Sequence, residues 1–135
     1  MPLKLTLKPA EKIIVNGAVL TNGNAKTTLT IENSAVILRQ KDILQAEDAN
    51  TPAKRIYFYI QLAYLDEDGR EEHLETMRQL AQDFLRALPT AEVAHLIEPL
   101  GVDVATGNYF QALKKCRKLI AFEETRLNYG RESLR

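Results

Sequence analysis

The chain has 135 residues, 45% of them hydrophobic, with 18 Lys/Arg against 18 Asp/Glu and a single cysteine. That length makes one domain, or two very small ones sharing a core, and the apolar fraction is enough to form it. No window approaches the 18 apolar residues of a membrane span, and Cys116, alone, excludes an internal disulfide and fits a reducing cytosol.

The first residues, Met1-Pro2-Leu3-Lys4-Leu5-Thr6, alternate apolar and polar. A signal peptide has a basic stretch and then a continuous apolar run, so a cytoplasmic protein without membrane partners is expected. Leu3, Leu5 and Leu7 alternate with Lys4, Thr6 and Lys8, the period of a strand. Pro9-Ala10-Glu11 breaks it. Lys12 to Val15 reads as a second strand and Ala18 to Thr21 as a third. Asn16-Gly17 between them is the strongest short hairpin signal, because both residues tolerate the positive φ of a type I′ turn. Asn22-Gly23-Asn24 turns again. Thr27 to Glu32 and, after Asn33-Ser34, Ala35 to Gln40 complete five short strands. The spacing predicts a meander or a small barrel. A sheet of this size hardly buries a core alone, so helices or a second copy are needed.

Residues 45–50 form a polar junction. Thr51-Pro52 opens a helix to about Leu65, with Thr as N-cap and Pro at the first helical position. It is apolar nearly all round, which predicts burial, on the sheet or at a subunit contact. Asp68-Gly69-Arg70-Glu71 starts a second helix with Asp68 as cap. Its stripe is Leu74, Met77, Ala81, Phe84 and Leu88, ended by Pro89. A short helix from Thr90 is expected to break at Pro99-Gly101. The last runs from about Asn108 to Leu127, and Tyr129-Gly130 leads into a polar tail. The fold class is α+β: an antiparallel β module over residues 1–44, followed by about four helices over residues 51–135.

Charge is unevenly distributed. Residues 1–41 hold six basic and two acidic residues, residues 42–105 five and thirteen, and residues 106–135 seven and three. Two basic ends flank an acidic middle, and a polyanion responds to local potential more than to the total.

Catalytic signatures are lacking, and the chain reads as a binding protein, not an enzyme. Ser34 and Ser133 stand in no nucleophile elbow. His73 and His95 have no cysteine at zinc spacing, and no Gly-rich phosphate loop exists, so no metal or cofactor is expected. Asp66-Glu67-Asp68-Gly69 with Glu75 imitates a calcium loop. Tyr64 occupies the first ligand position, however, so a helix turn is the better reading. Tyr57, Phe58, Tyr59 and Tyr64 suit either a base-stacking platform or a helix core, and their apolar surroundings favour the core. Lys114, Lys115, Arg117 and Lys118 form a basic helix face. It fits phosphate, water, or the acidic helix of Glu71, Glu72 and Glu75. On the sheet, Lys4, Thr6 and Lys8 share one face, with Arg39 and Lys41 at the end of strand five. Basic side chains and hydroxyls suit single-stranded RNA. These positions read as exposed polar sites that the fold does not need.

The runs Met1 to Pro9, Asn16 to Val19, Arg39 to Leu44 and above all Thr51-Pro52-Ala53-Lys54-Arg55-Ile56-Tyr57-Phe58 resemble the FlbT family, over essentially the whole chain. Those are bacterial flagellum-biosynthesis regulators acting on flagellin messenger RNA. Leu5 to Val15 and Ala35 to Arg39 are also similar in order and spacing to strands one and five of the CsrA carbon-storage regulators. These are interlocked β dimers that bind leader RNA. Carried over, Leu5, Thr6, Lys8 and Arg39 match the CsrA contact pattern, while Leu7 departs from it, since CsrA has a basic residue there. With Lys4 and Lys41 from the surface reading, the expected RNA site is Lys4, Leu5, Thr6, Lys8, Arg39 and Lys41. The resemblance implies a post-transcriptional regulator that binds the 5′ leader of flagellin mRNA and alters its translation and stability, working as a homodimer or larger oligomer. The alternative is a protein–protein regulator whose helices bind a flagellar partner without touching RNA.

Overall fold

The structure, a computed structural model, describes residues 2–133, with side chains as far as Leu127. The chain divides into two compact units, residues 1–43 and 44–135.

The first unit holds β1 (Leu3–Leu7), β2 (Lys12–Val15), β3 (Ala18–Thr21), β4 (Thr27–Ile31) and β5 (Ile37–Arg39). They do not form a meander. β1 pairs with β4 in a two-stranded sheet, and a second sheet has the order β3-β2-β5, all antiparallel. The expected hairpin exists, with Asn16 at φ 49° and Gly17 at φ 84°, both left-handed as a type I′ turn requires. Past it, the chain crosses to the other sheet. Leu5, Leu7 and Ile13 form a buried cluster, with Val15, Leu29, Ile31 and Ile37 packed on it. The apolar face of β1–β4 therefore covers β2 and β5. Five short strands bury more apolar surface as two facing layers than as one flat ribbon with an open face.

Asn22 ties the layers at one end. Its amide nitrogen donates to the carbonyls of Lys8 (2.8 Å) and Ala25 (3.0 Å). The link from β1 to β2 is a tight turn, with Glu11 N–H donating to Lys8 carbonyl oxygen at 3.1 Å. Pro9 and Ala10 are its central residues, and Ala10 sits at φ 62°. That is the position where a type II turn prefers glycine.

The second unit is α1 (Pro52–Leu65), α2 (Arg70–Ala87), α3 (Ala91–Ala105) and α4 (Tyr109–Ser133). Thr51 caps α1 as expected, accepting from Lys54 N–H at 3.3 Å. α1 contacts both α2 and α4, and α3 packs on α4. The apolar girdle of α1 is thus taken up on two sides, with Ala53, Ile56, Tyr57, Ile60 and Ala63 buried.

Three sequence expectations are corrected here. Asp68 does not cap α2; Asp66 accepts from Gly69 N–H at 3.2 Å instead, and also meets His73 Nε2 at 2.9 Å. Pro99 does not break α3, which runs on to Ala105. The proline sacrifices one N–H donor to the carbonyl of exposed His95, while continuing the helix buries Leu100 and Val104. α4 passes through Tyr129-Gly130 to Ser133, where a polar tail was expected; the last two residues lie outside the described ones. Among the described residues, no helix is long and apolar enough to cross a membrane.

Candidate nucleic-acid interface

Period-two geometry sorts the residues of β1. Lys4 and Thr6 are exposed on one face; Leu5, 8% exposed, turns into the core with Leu7. Leu5, expected among the RNA contacts, therefore does not present its side chain on the Lys4–Thr6 face. The register places Thr30 opposite Lys4 and Thr28 opposite Thr6, both exposed. The outer face of this sheet is consequently a patch of one ammonium and three hydroxyls. Thr28 and Thr30 were missed because strand pairing is not visible in the sequence. The Thr-Thr-Leu-Thr-Ile alternation was the available signal.

Lys8, Arg39 and Lys41 come together from two places in the chain. Lys8 follows β1, Arg39 ends β5, and Lys41 lies in a single 3₁₀ turn at Gln40–Asp42. With Pro9, Ala10, Glu11 and Gln40 they line a cavity of about 630 Å³. Gln40 is anchored by its oxygen, which accepts from Lys12 N–H at 2.6 Å. The turn at Pro9-Ala10 is held by Glu11, whose carboxylate accepts from Lys8 N–H at 2.9 Å.

Arg39 lies near the first strand, as expected, but its role is different. Nη2 donates to Thr6 carbonyl oxygen at 2.6 Å and to Glu11 Oε2 at 3.1 Å, and the side chain is 29% exposed. It is held in the fold, with one cationic edge toward the cavity. The hydrogen bond from Lys8 N–H, and then the Arg39 guanidinium, hold the Glu11 carboxyl below the usual carboxylate range. Glu11 also offsets part of the local positive charge. Lys8 and Lys41 are the exposed cations at this cavity.

The other sequence candidates resolve within the helical unit. Lys115 pairs with Asp103 of α3 at 2.6 Å, not with the acidic face of α2. Arg117 lies over the Tyr57 ring at 5.6 Å, and Lys114 over Phe110 at 5.0 Å. The basic face of α4 is thus partly consumed by intramolecular contacts. Tyr57 is buried, and Tyr64 packs toward Phe110 with ring centroids 6.5 Å apart, which fits a core and not a stacking platform. Among the described residues, no group of three His, Cys, Asp or Glu is placed to hold a metal ion.

Comparison with known proteins matches the sequence of this chain to one family. The family model described as "Flagellar protein FlbT" matches residues 3–127. The chain is 40% identical over 129 residues to the "Probable flagellum biosynthesis repressor protein FlbT" of Caulobacter sp. (strain K31), covering 96% of this chain and 98% of that one. It is 40% identical to the "Flagellum biosynthesis repressor protein FlbT" of Caulobacter vibrioides (strain ATCC 19089 / CIP 103742 / CB 15), over 96% and 92% of the two chains. A relative in Bradyrhizobium diazoefficiens is 42% identical over 125 residues, covering 92% and 84%. No solved structure matches the chain. Matched over nearly its whole length, the chain belongs to the FlbT family of flagellar proteins.

Proposed function

We propose that this protein is a cytoplasmic repressor of flagellum biosynthesis that works after transcription, binding the 5′ leader of flagellin mRNA with its β unit. Binding there alters translation and stability of the message. The regulatory half of this reading is supported by the relatives, which carry the name flagellum biosynthesis repressor. The RNA half is carried by one observation: Lys8, just past β1, meets Arg39 and Lys41, at the end of β5, around a single cavity. Phosphate attracts the exposed ammonium groups, and a cavity of this size suits an unstacked base. The hydroxyls of Thr6, Thr28 and Thr30 offer further donors and acceptors on the adjoining strands. The resemblance of β1 and β5 to the RNA-binding strands of CsrA points the same way.

The test is binding of a flagellin leader transcript at several salt concentrations, with the parent and with Lys8→Ala and Lys41→Ala. Each substitution should weaken binding and flatten the salt dependence by about one ion. A parent that binds the leader no better than an unrelated transcript, or variants that bind like the parent, would overturn the assignment.

A second reading has one observation in its favour. A mostly apolar cavity of about 640 Å³ opens in the helical unit, with Pro52, Leu80, Phe84 and Leu88 in its lining. On that reading the helices hold a flagellar protein, and the same lysine substitutions leave RNA association unchanged.

A further inference from the structure

β3 is the outer strand of its sheet, and all four of its residues are exposed. The cause is a mismatch in the layers. Two strands, β1 and β4, face three, so the inner face of β3 has no cover. Leu20 is 45% exposed although its register partner Ile13 is fully buried; Val19, on the opposite face, is 62% exposed.

The hydrogen-bond phase of the hairpin shows which backbone groups are free. Asn22 N–H donates to Glu11 carbonyl oxygen at 2.9 Å. In an antiparallel ladder the bonded pairs then alternate as Glu11/Asn22, Ile13/Leu20 and Val15/Ala18. Val19 and Thr21 therefore turn their N–H and C=O groups outward, along an edge that carries no charge, no proline and no bulge. Natural edges are normally blunted by such features. The other edges are blunted or less apolar. β1 carries Lys4, and its Thr6 carbonyl is already taken by Arg39. β5 is three residues long and ends in Arg39. β4 exposes no large apolar side chain.

We propose that β3 is the strand by which two copies of this chain join, edge to edge and antiparallel, into one six-stranded sheet. A two-fold axis normal to the sheet, midway between the two Val19 residues, pairs Val19 with the partner's Val19. The outward N–H of each Val19 then meets the outward C=O of the other. A second copy is the occupant that fits, because the strand is self-complementary under that axis. Charge supports the same choice. Residues 1–41 carry an excess of basic side chains, so two copies repel over most of this unit; the residues of β3 are themselves uncharged, and the one ammonium beside them, that of Lys12, is held on the Thr21 hydroxyl at 3.1 Å, away from Val19. The contact is smaller than the roughly 800 Å² per partner of a stable complex, so it forms in a concentration-dependent way.

Sedimentation of the full chain between about 1 and 300 μM tests the proposal. The parent should move from the 15.3 kDa monomer toward twice that mass as concentration rises. Val19→Pro removes an outward N–H and none of the bonds between β2 and β3, and should stay monomeric with an unchanged circular dichroism spectrum. Val19→Lys places a charge on the axis and should do the same, and it decides the matter if the proline variant misfolds. Thr28→Lys, on β4, should dimerise like the parent. A parent that is monomeric throughout, or a folded Val19→Lys that dimerises like the parent, overturns the proposal. So does a dimer lost only on Thr28→Lys, which would move the contact to β4.

Discussion

Nη2 of Arg39 stands 2.6 Å from the carbonyl oxygen of Thr6 and 3.1 Å from Oε2 of Glu11, so one guanidinium ties β5 to β1 and to the turn that follows it. A substitution here acts on the fold as well as on any ligand. Arg39→Ala strips the charged donor from a backbone carbonyl and frees Glu11 to repel phosphate. It should lower stability by about 1–2 kcal/mol, the lower part of the range for a hydrogen bond to a charged group, since the site is partly solvated. RNA binding should fall at the same time. Urea titrations beside leader-RNA binding separate the two effects. An Arg39→Ala protein as stable as the parent would show that the tie contributes nothing.

Glu11 makes the same turn sensitive to acid. Its carboxyl is held low, first by Lys8 N–H and then by Arg39. A carboxylate with a depressed folded-state pKa contributes stability that is fully present above its unfolded value and is lost as pH falls through the folded value. The turn at Pro9-Ala10 should therefore loosen only as pH falls below the ordinary glutamate range. Amide exchange of Lys8 should accelerate there, and Glu11→Gln should flatten that pH response. Equal acceleration in parent and variant would dissociate Glu11 from it.

Much of this was legible in the sequence, and the failures share one cause. The Asn16-Gly17 hairpin, the Thr51-Pro52 start and the stripe of α2 are encoded within a few residues, and each was found. The pairing of β1 with β4 depends on which layers bury Leu5, Leu7 and Ile13 together, and no local signal carries it. The same holds for the site. The exposure of Lys4, Thr6 and Lys8 was readable from alternation, and the approach of Arg39 to β1 was expected. What Arg39 touches on arrival, Glu11 and a carbonyl, was not visible, and neither was the register that sets Thr28 and Thr30 beside Thr6 and Lys4. The stop assigned to Pro99 failed because tertiary burial of Leu100 and Val104 outweighs one lost hydrogen bond.

The start of α2 offers a further test. Asp66 receives Gly69 N–H at 3.2 Å and meets His73 Nε2 at 2.9 Å, and a β-carbon at position 69 would collide with that carboxylate. Asp66→Ala should lower the thermal midpoint by removing both contacts at once. Gly69→Ala should cost a similar amount by pushing the carboxylate off the same site. The double variant should cost little more than either one, because both remove one interaction. Additive losses in thermal unfolding would mean that Gly69 matters for a separate reason.

A long-range tie within the helical unit yields the last prediction. Glu123 of α4 is buried, and its Oε2 accepts from Ala53 N–H, 70 residues away, at 2.9 Å. Ala53 lies in the first turn of α1, where N–H groups have no partner inside the helix and the helix dipole favours a negative charge. α4 therefore caps α1. Cys116, one face along α4 and fully buried, donates from Sγ toward Ala53 carbonyl oxygen at 3.7 Å. Burial, and then the Glu123 charge, push its thiol well above the usual range, so it should be inert to thiol reagents while α1 and α4 stay together. Glu123→Ala takes the partner from the Ala53 donor and should cost about 1–3 kcal/mol. Glu123→Gln keeps an acceptor there and should cost less. Cys116 reports the difference directly. Its labelling rate in native buffer should be low in the parent, rise most in Glu123→Ala, and lie between the two in Glu123→Gln. Labelling that is fast in the parent, or equal in all three proteins, would mean that the Glu123–Ala53 contact does not hold these helices together.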